Sequence, residues 1–324
     1  MKRVLSGLRP TGKLHLGHYV GALENWVSLQ KDYENFHLIA DYHVLTTQLD
    51  TKDIRENTLE MVKDWLAAGI DPEQSPIFRQ SRIKEHAELF LLLSMLITKA
   101  RLERNPTLKE QVRDLNMDRI VYGHLGYPVL QSADILLYKG ELVPVGEDQA
   151  PHVEIARELA RRFNKTYGEV FPEPRSKLTK FARLPGLDGQ AKMSKSLGNA
   201  ILLSDEPDAI QKKLRGAYTD PLKVRKHDPG RPEICLVYTH HTRFNAAQSP
   251  EIKAGCESGS LGCVDCKRMC GEAIAKHLEP FRERRRYYDE RPDELQTVLH
   301  DGEARAKIVA QDTMVQVRAA MGLG

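Results

Sequence analysis

Two short motifs in this chain carry side chains suited to handling phosphate. The first is His15-Leu16-Gly17-His18, set between an apolar strand signal and a helical pattern. Imidazoles three residues apart share a helix face, and they can donate hydrogen bonds to phosphate oxygens whose charge grows during a reaction. Gly17 lets a ligand approach the backbone, and the N–H groups of a helix start face whatever is held there. The second motif, far downstream, is Lys192-Met193-Ser194-Lys195-Ser196. Two ammonium groups at i and i+3 beside small hydroxyl residues suit a polyphosphate leaving group. The surrounding stretch 171–198 is rich in Pro, Gly and Lys, which predicts a mobile loop able to close over it. A third stretch, Ser6 to Leu14, nearly fits the phosphate loop G-x-x-x-x-G-K-[ST], with Gly7, Gly12 and Lys13 in place. It fails at Leu14, where the hydroxyl that holds magnesium belongs.

The cysteines form a further group. All five fall between Cys235 and Cys270, which is not how a secreted disulfide framework is built. A local metal or cluster site explains them better. Cys235, Cys256, Cys263 and Cys266 are spaced C-x20-C-x6-C-x2-C, with Cys270 beyond them. Four thiolates can hold zinc or a [4Fe–4S] cluster, and spacing alone does not decide between them.

The elements that must position these groups alternate. Arg3-Val4-Leu5 reads as a strand ending at Gly7, and Val20, Leu23, Trp26 and Val27 recur at helical spacing. His37 to Ala40 is a second strand, 53–68 a helix that stops at Gly69, and Ile77-Phe78 a third strand. A helix follows from about Lys84 to Ala100, then a short strand Leu142 to Val145 whose proline argues for a strand end. This β-α-β rhythm predicts a parallel sheet covered by helices, with ligands at the carboxyl ends of the strands. Residues 219–233, with three prolines and many charges, read as a connector, and helical patterns dominate from Ser204 onward. Ala304, Ile308, Val315 and Ala319 form one apolar stripe there. The expected architecture is α/β: a Rossmann-like parallel-sheet catalytic domain over 1–203, then a mostly α-helical C-terminal domain over 204–324.

Composition sets the outer bounds. The chain has 324 residues, 41% of them hydrophobic and 29% charged, an ordinary globular composition with room for one large domain or two. Its net charge of +3, from 48 basic and 45 acidic side chains, excludes a strongly basic nucleic-acid coat but not a local basic patch. Such a patch is offered by Arg282, Arg284, Arg285 and Arg286, which could meet phosphates or form a solvated helix face, with Tyr287 and Tyr288 beside them. Leu89 to Ile97 is interrupted by Ser94 and too short to span a bilayer. Polar residues after Met-Lys-Arg interrupt any secretory signal, and the expectation is an intracellular enzyme.

Taken together, H-L-G-H and K-M-S-K-S resemble the paired signatures of class I aminoacyl-tRNA synthetases. The rest of the chain is similar to the bacterial tryptophanyl branch of that family. The similarity is carried by Ser6-Gly-Leu-Arg-Pro-Thr-Gly, by Tyr127-Pro128 with Ala133-Asp-Ile-Leu-Leu-Tyr138, by Val143-Pro-Val-Gly-Glu-Asp-Gln149, and by the ending Ala320-Met-Gly-Leu-Gly324. The resemblance implies activation of L-tryptophan with ATP and Mg²⁺, then transfer to tRNA(Trp), in a cytoplasmic homodimer that engages neither DNA nor a membrane. A catalytically silent tRNA-binding paralogue, a tyrosine-specific synthetase and a nucleotidyltransferase for a small metabolite are the alternatives.

Residue by residue, the resemblance implies that Asp134 accepts the indole N–H. An aromatic ring with one donor needs an apolar slot and one buried acceptor, and an analogue without the donor would leave that acceptor unpaired. Leu5, Val143 and Val145 would wall the slot, His43 would form another face, and Tyr127 and Gln131 would border it. Gln149 would meet the substrate amino group. Leu5 and Gln131 stand where bacterial relatives often have phenylalanine and methionine. His15, Gly17 and His18 would serve the phosphates, and Lys192 and Lys195 the departing pyrophosphate, in a loop that includes Met193, Ser194 and Ser196. Arg9, Pro10 and Thr11 would shape the nucleotide loop. Gly146, Glu147 and Asp148 would face adenosine, with Leu184 and Lys109 also on the ATP side. Gln111 stands where relatives often carry a second lysine. A subset of this branch carries [4Fe–4S] in its helical C-terminal domain, which implies Cys235, Cys256, Cys263 and Cys266 as ligands, zinc being the alternative.

Overall fold

The computed structural model describes every residue except 115, 116, 118, 179–183, 190–192, 196 and 324. The chain forms two compact units. One comprises Met1–Gly12, Asn25–Lys180 and Arg291–Gly324; the other comprises Lys13–Glu24 and Phe181–Glu290.

The first unit is built on a five-stranded, all-parallel sheet. Its strands are β1 (Arg3–Leu8), β2 (Glu34–Ile39), β3 (Ile77–Arg79), β4 (Leu142–Val145) and β5 (Arg175–Leu178). Their spatial order is β3-β2-β1-β4-β5. Leu5 pairs with Phe36, Ile39 with Arg79, Val4 with Leu142, and Val143 with Ser176. The order reverses at β1, so the crevice between β1 and β4 is where a ligand belongs in such a sheet. Helices cover both faces, which is why Val4, Leu5, Phe36, Leu38 and Phe78 are buried in strands that read as nearly continuous apolar runs. The central helix Tyr122–Leu137 packs between Glu85–Ser94 and Ala150–Tyr167. Pro128 lies inside it without an N–H to give, and the Ser132 hydroxyl donates to the Pro128 carbonyl at 2.7 Å.

Two expectations change here. The helix expected over Lys84 to Ala100 ends at Ser94, and a new one starts at Lys99, capped by the Thr98 hydroxyl accepting from the Arg101 N–H. The stretch 171–198 is not all loop: it contains β5, whose Arg-Ser-Lys-Leu sequence shows no apolar run because it lies at the sheet edge. β4 is found as expected over Leu142–Val145, with Pro144 next to its end; it is an interior strand, paired to β1 only at Leu142, before the proline.

The last helix, Pro292–Met321, packs on β3. A Cβ at Gly302 would stand 2.0 Å from the Ile77 carbonyl oxygen, so only glycine permits this approach. The expected stripe of Ala304, Ile308, Val315 and Ala319 faces outward, with Ile308 69% and Val315 60% exposed. The buried face is Leu295, Leu299, Ala306, Ala310, Met314 and Val317. Two apolar stripes share one helical period, and only packing against the sheet selects between them.

In the second unit, Pro207–Arg215 and Leu236–Phe244 pack against the long helix Cys263–Asp289 around Ile210, Leu214, Val237, Ile274, Leu278 and Phe281. The basic run divides. Arg282 and Arg285 are buried, Arg282 donating to the Ala275 carbonyl at 2.9 Å, whereas Arg284 and Arg286 are exposed. Among the described residues no helix is long and apolar enough to cross a membrane.

Candidate functional site

In the first unit, Asp134 is the centre of a dense polar cluster. It sits on the helix Tyr122–Leu137, between Ala133 and Ile135, which join Leu5 and Val143 in one apolar core. Its carboxylate is 2% exposed. Oδ1 accepts from Gln80 Nε2 and from His86 Nδ1, each at 2.7 Å, and Oδ2 accepts from His43 Nε2 at 2.9 Å. Burial pushes the Asp134 carboxyl up, but the hydrogen bonds from His43 and His86 outweigh it and hold the group at about 2. A buried, ionised carboxylate that holds three donors is expensive in an apolar core unless it has a use.

A second chain of polar contacts lies on the neighbouring elements. Tyr127, buried on the same helix, has its hydroxyl 2.8 Å from His152 Nε2. His152 Nδ1 stands 3.2 Å from Gln149 Oε1, and Gln149 Nε2 donates to Asp148 Oδ2 at 3.2 Å. With the Tyr127 hydroxyl donating, the His152 proton lies on Nδ1 and orients the Gln149 amide. Burial pulls His152 down to about 4, so its ring is neutral. Tyr127 also presents its ring edge-on to His43, with centroids 6.4 Å apart. Gln131 is half-buried one helical turn before Asp134.

Around the carboxyl ends of β1 and β4, Leu5 and Val143 are buried and Val145 is partly covered. Beyond β1, Pro10 is buried while Arg9 and Thr11 are exposed, and Arg9 Nη1 donates to the Thr47 hydroxyl at 3.4 Å. Gly146 precedes the short turn Glu147–Gln149. The Asp148 carbonyl accepts from the Thr107 hydroxyl at 2.8 Å, joining that turn to the helix Pro106–Asp114. On that helix Lys109 lines a cavity of about 240 Å³ with Glu103, Leu108, Val112 and Ile120.

The two phosphate motifs belong to the second unit. Residues 14–16 pair with residues 201–203: the Leu16 N–H donates to the Ile201 carbonyl at 3.0 Å, and the Leu203 N–H to Leu14 at 2.9 Å. This short ladder leads straight out of the lysine loop, so it fixes His15-Leu16-Gly17-His18 beside that loop. The His15 and His18 rings lie against each other, centroids 3.8 Å apart, and the His15 N–H donates to His18 Nδ1 at 3.3 Å. A Cβ on Gly17 would come 3.0 Å from the His15 ring and 3.6 Å from Met193 Cβ. Met193 and Leu184 are buried, Ser194 is half-buried and Lys195 is exposed. Lys192 and Ser196 lie outside the described residues.

Asn199 holds this loop. It is 3% exposed. Its Oδ1 accepts the Ser194 N–H at 2.7 Å, its Nδ2 donates to Asp188 Oδ2 at 2.8 Å, and its carbonyl accepts the Leu187 N–H at 2.8 Å. Sequence reasoning missed Asn199; the Gly198-Asn199 turn dipeptide was its only signal. It also missed Gln80, His86 and Tyr138, since a histidine in an apolar helix reads as a core residue.

The cysteines come from three elements. Cys235 opens the helix Leu236–Phe244, Cys256 lies in Ser249–Glu257, and Cys263, Cys266 and Cys270 follow along Cys263–Asp289. Burial, and then the nearby thiols of Cys235, Cys256 and Cys263, push the Cys266 thiol up to about 12. Cys270 is fully buried, and burial pushes its thiol up as well. Yet among the described residues no three or more His, Cys, Asp or Glu side chains stand as a metal-holding group. The expected ligand set of Cys235, Cys256, Cys263 and Cys266 is thus gathered into one region but not drawn into a coordination shell.

This parallel sheet, with a histidine tetrad and a lysine loop fixed together in the second unit, is the arrangement of a nucleotide-activating synthetase. The family model for class I tRNA synthetases (W and Y) matches residues 1–279. The chain belongs to that family. It is 50% identical to the tryptophan–tRNA ligase of Thermotoga maritima, over 99% of each chain. It is 44% identical to that of Aquifex aeolicus, over 99% of this chain and 100% of that one. The crystal structure of tryptophanyl-tRNA synthetase from Campylobacter jejuni complexed with ADP and tryptophan is 34% identical, with a TM-score of 0.88 over 99% of this chain and 100% of that one.

Proposed function

We infer that the chain works as a tryptophan–tRNA ligase. The tryptophan carboxylate attacks the α-phosphorus of ATP, a C(O)–O–P bond forms, and the bond to the β-phosphate oxygen breaks. Pyrophosphate leaves and tryptophanyl-adenylate remains. The terminal ribose hydroxyl of tRNA(Trp) then attacks the carbonyl carbon and AMP leaves. No covalent enzyme intermediate is needed, so catalysis is positioning and electrostatic stabilisation.

The observation that carries the choice of amino acid is Asp134, buried and ionised in an apolar core. It accepts the indole N–H, with Leu5, Val143, Val145, His43, Tyr127 and Gln131 around the ring and Gln149 on the amino group. His15, Gly17 and His18 receive the phosphates. Lys192 and Lys195 take the charge of the leaving pyrophosphate, and Met193, Ser194, Ser196 and Leu184 shape their loop. Arg9, Pro10, Thr11, Lys109, Gly146, Glu147 and Asp148 serve the rest of the nucleotide. Mg²⁺ bound with ATP shares the phosphate charge.

A charging assay across the amino acids with total tRNA tests the reading. Tryptophan alone should be charged, and charging of tyrosine, or no tryptophan-dependent pyrophosphate exchange, would refute it. We further propose that the helical segment 204–324 reads the anticodon region of the tRNA, with residues 1–203 doing the chemistry, and that the enzyme is a cytoplasmic homodimer. Cys235, Cys256, Cys263 and Cys266 are proposed to take up a [4Fe–4S] cluster, with zinc as the alternative. What supports this is the donor set itself, four thiols brought into one region, with Cys235, Cys256 and Cys263 near enough to Cys266 to raise its pKa. Iron and acid-labile sulfide on anaerobically purified protein are expected; zinc without sulfide would overturn the cluster.

A further inference from the structure

A carboxylate offers about four lone-pair positions. On Asp134, Gln80 and His86 occupy both positions of Oδ1 at 2.7 Å, and His43 occupies one of Oδ2 at 2.9 Å. Among the described residues, one position on Oδ2 remains. The carboxylate keeps this orientation only while the His86 ring carries its proton on Nδ1, since a bare Nδ1 would face Oδ1 lone pair to lone pair.

Tyr138 decides where that proton sits. The residue is fully buried, and its hydroxyl lies 2.8 Å from His86 Nε2. A buried hydroxyl hydrogen needs an acceptor, so the Tyr138 O–H donates to Nε2 and the His86 proton is left on Nδ1, aimed at Asp134. Burial first, and the Asp134 charge after it, push the Tyr138 phenol far up, which keeps that hydrogen in place. Phe36 and Phe78 pack on the Tyr138 ring with centroids 5.1 and 4.9 Å away, so the hydroxyl cannot swing aside.

We propose that Tyr138 and His86, with Gln80, are positioning residues for amino-acid selection: they lock Asp134 so that it presents one open acceptor and no free donor to the side chain being read. The proposal rests on the reading of Asp134 as the indole acceptor. It also explains discrimination between aromatic amino acids. An indole N–H asks only for an acceptor. A phenol hydroxyl asks for a donor as well, and the three donors at this carboxylate are already spent on it.

The test compares tryptophan with β-(3-benzothienyl)alanine, which carries sulfur in place of the indole N–H, as the ratio of kcat/KM in pyrophosphate exchange. Tyr138→Phe removes one oxygen from a packed ring and should lower the ratio about tenfold. His86→Asn places an amide donor near the position of Nδ1 and no longer needs the tyrosine. It should keep most of the ratio, and adding Tyr138→Phe should then change it no further. A Tyr138→Phe enzyme that loses activity equally on both substrates, or keeps the wild-type ratio, overturns the proposal. Asp134→Ala and Asp134→Asn separate the two levels. If they abolish the ratio while Tyr138→Phe does not, the positioning role alone falls. If the ratio survives both Asp134 substitutions in folded protein, the reading of Asp134 falls and the proposal with it.

Discussion

Replacing Asn199 by alanine should disable the lysine loop without touching the amino-acid pocket. In a site only 3% exposed the side chain accepts the Ser194 N–H at 2.7 Å and donates to the Asp188 carboxylate at 2.8 Å. A neutral bond is worth about 1 kcal/mol net and one to a charged group about 1.5–3 kcal/mol. Relaxation of the exposed parts of the loop returns some of this, leaving a loss of about 2 kcal/mol. If the loop is needed only as pyrophosphate departs, that loss appears as a fall of about 30-fold in kcat. Tryptophan-dependent exchange should show this fall with KM for tryptophan unchanged, and thermal melting should show a folded protein. Asn199→Asp supplies a second check. It sets a carboxylate against Asp188, and two such groups cannot both stay ionised at hydrogen-bond distance. Its activity relative to wild type should therefore recover as pH falls from about 8 to about 6. An Asn199→Ala enzyme with normal kcat, or one whose defect lies in KM for tryptophan, refutes this account of the loop.

Other outcomes follow from the same structure. Lys195→Ala should slow adenylate formation while tryptophan binding, followed by fluorescence, stays normal; normal adenylate formation would remove it from the pyrophosphate role. Burial holds His37 at about 3, below the ordinary 6.5, in a core where it stacks on Trp26 and bonds to the Ser6 hydroxyl at 2.8 Å. Its folded pKa is depressed, so the unfolded chain takes up a proton below pH 6.5 that the folded chain refuses. The stability present above pH 6.5 is lost as pH falls toward about 3, by about 5 kcal/mol in full. His37→Phe should flatten that part of the curve of urea midpoint against pH; an unchanged slope would show that His37 takes no part. Gly302→Ala drives a Cβ to 2.0 Å from the Ile77 carbonyl oxygen, so the last helix must lift from β3. A loss of about 2–3 kcal/mol is expected, and a denaturation midpoint within error of wild type would contradict the packing described.

The chemistry of this chain is legible in one dimension because phosphate handling needs particular side chains at particular short spacings. Two imidazoles around a glycine and two ammonium groups around a serine leave a mark that no packing argument is needed to see. The strands of the sheet centre are equally legible, since strands covered on both faces must be apolar throughout, as around Leu5, Phe36 and Phe78. What the order of residues does not hold is which distant groups meet. The pairing of residues 14–16 with 201–203, which fixes the tetrad beside the lysine loop, is made of backbone bonds and leaves no side-chain signature. The same holds for the choice between two apolar stripes on Pro292–Met321, where Ile308 and Val315 have the right type and period yet face away from the core. It holds most of all for Asp134. Its sequence surroundings announce a buried carboxylate, but Gln80, His86 and His43, which keep it ionised and aimed, arrive from other elements. Types and local spacing are properties of the chain; the neighbours that set a proton, an orientation or a buried face exist only once the chain has closed on itself.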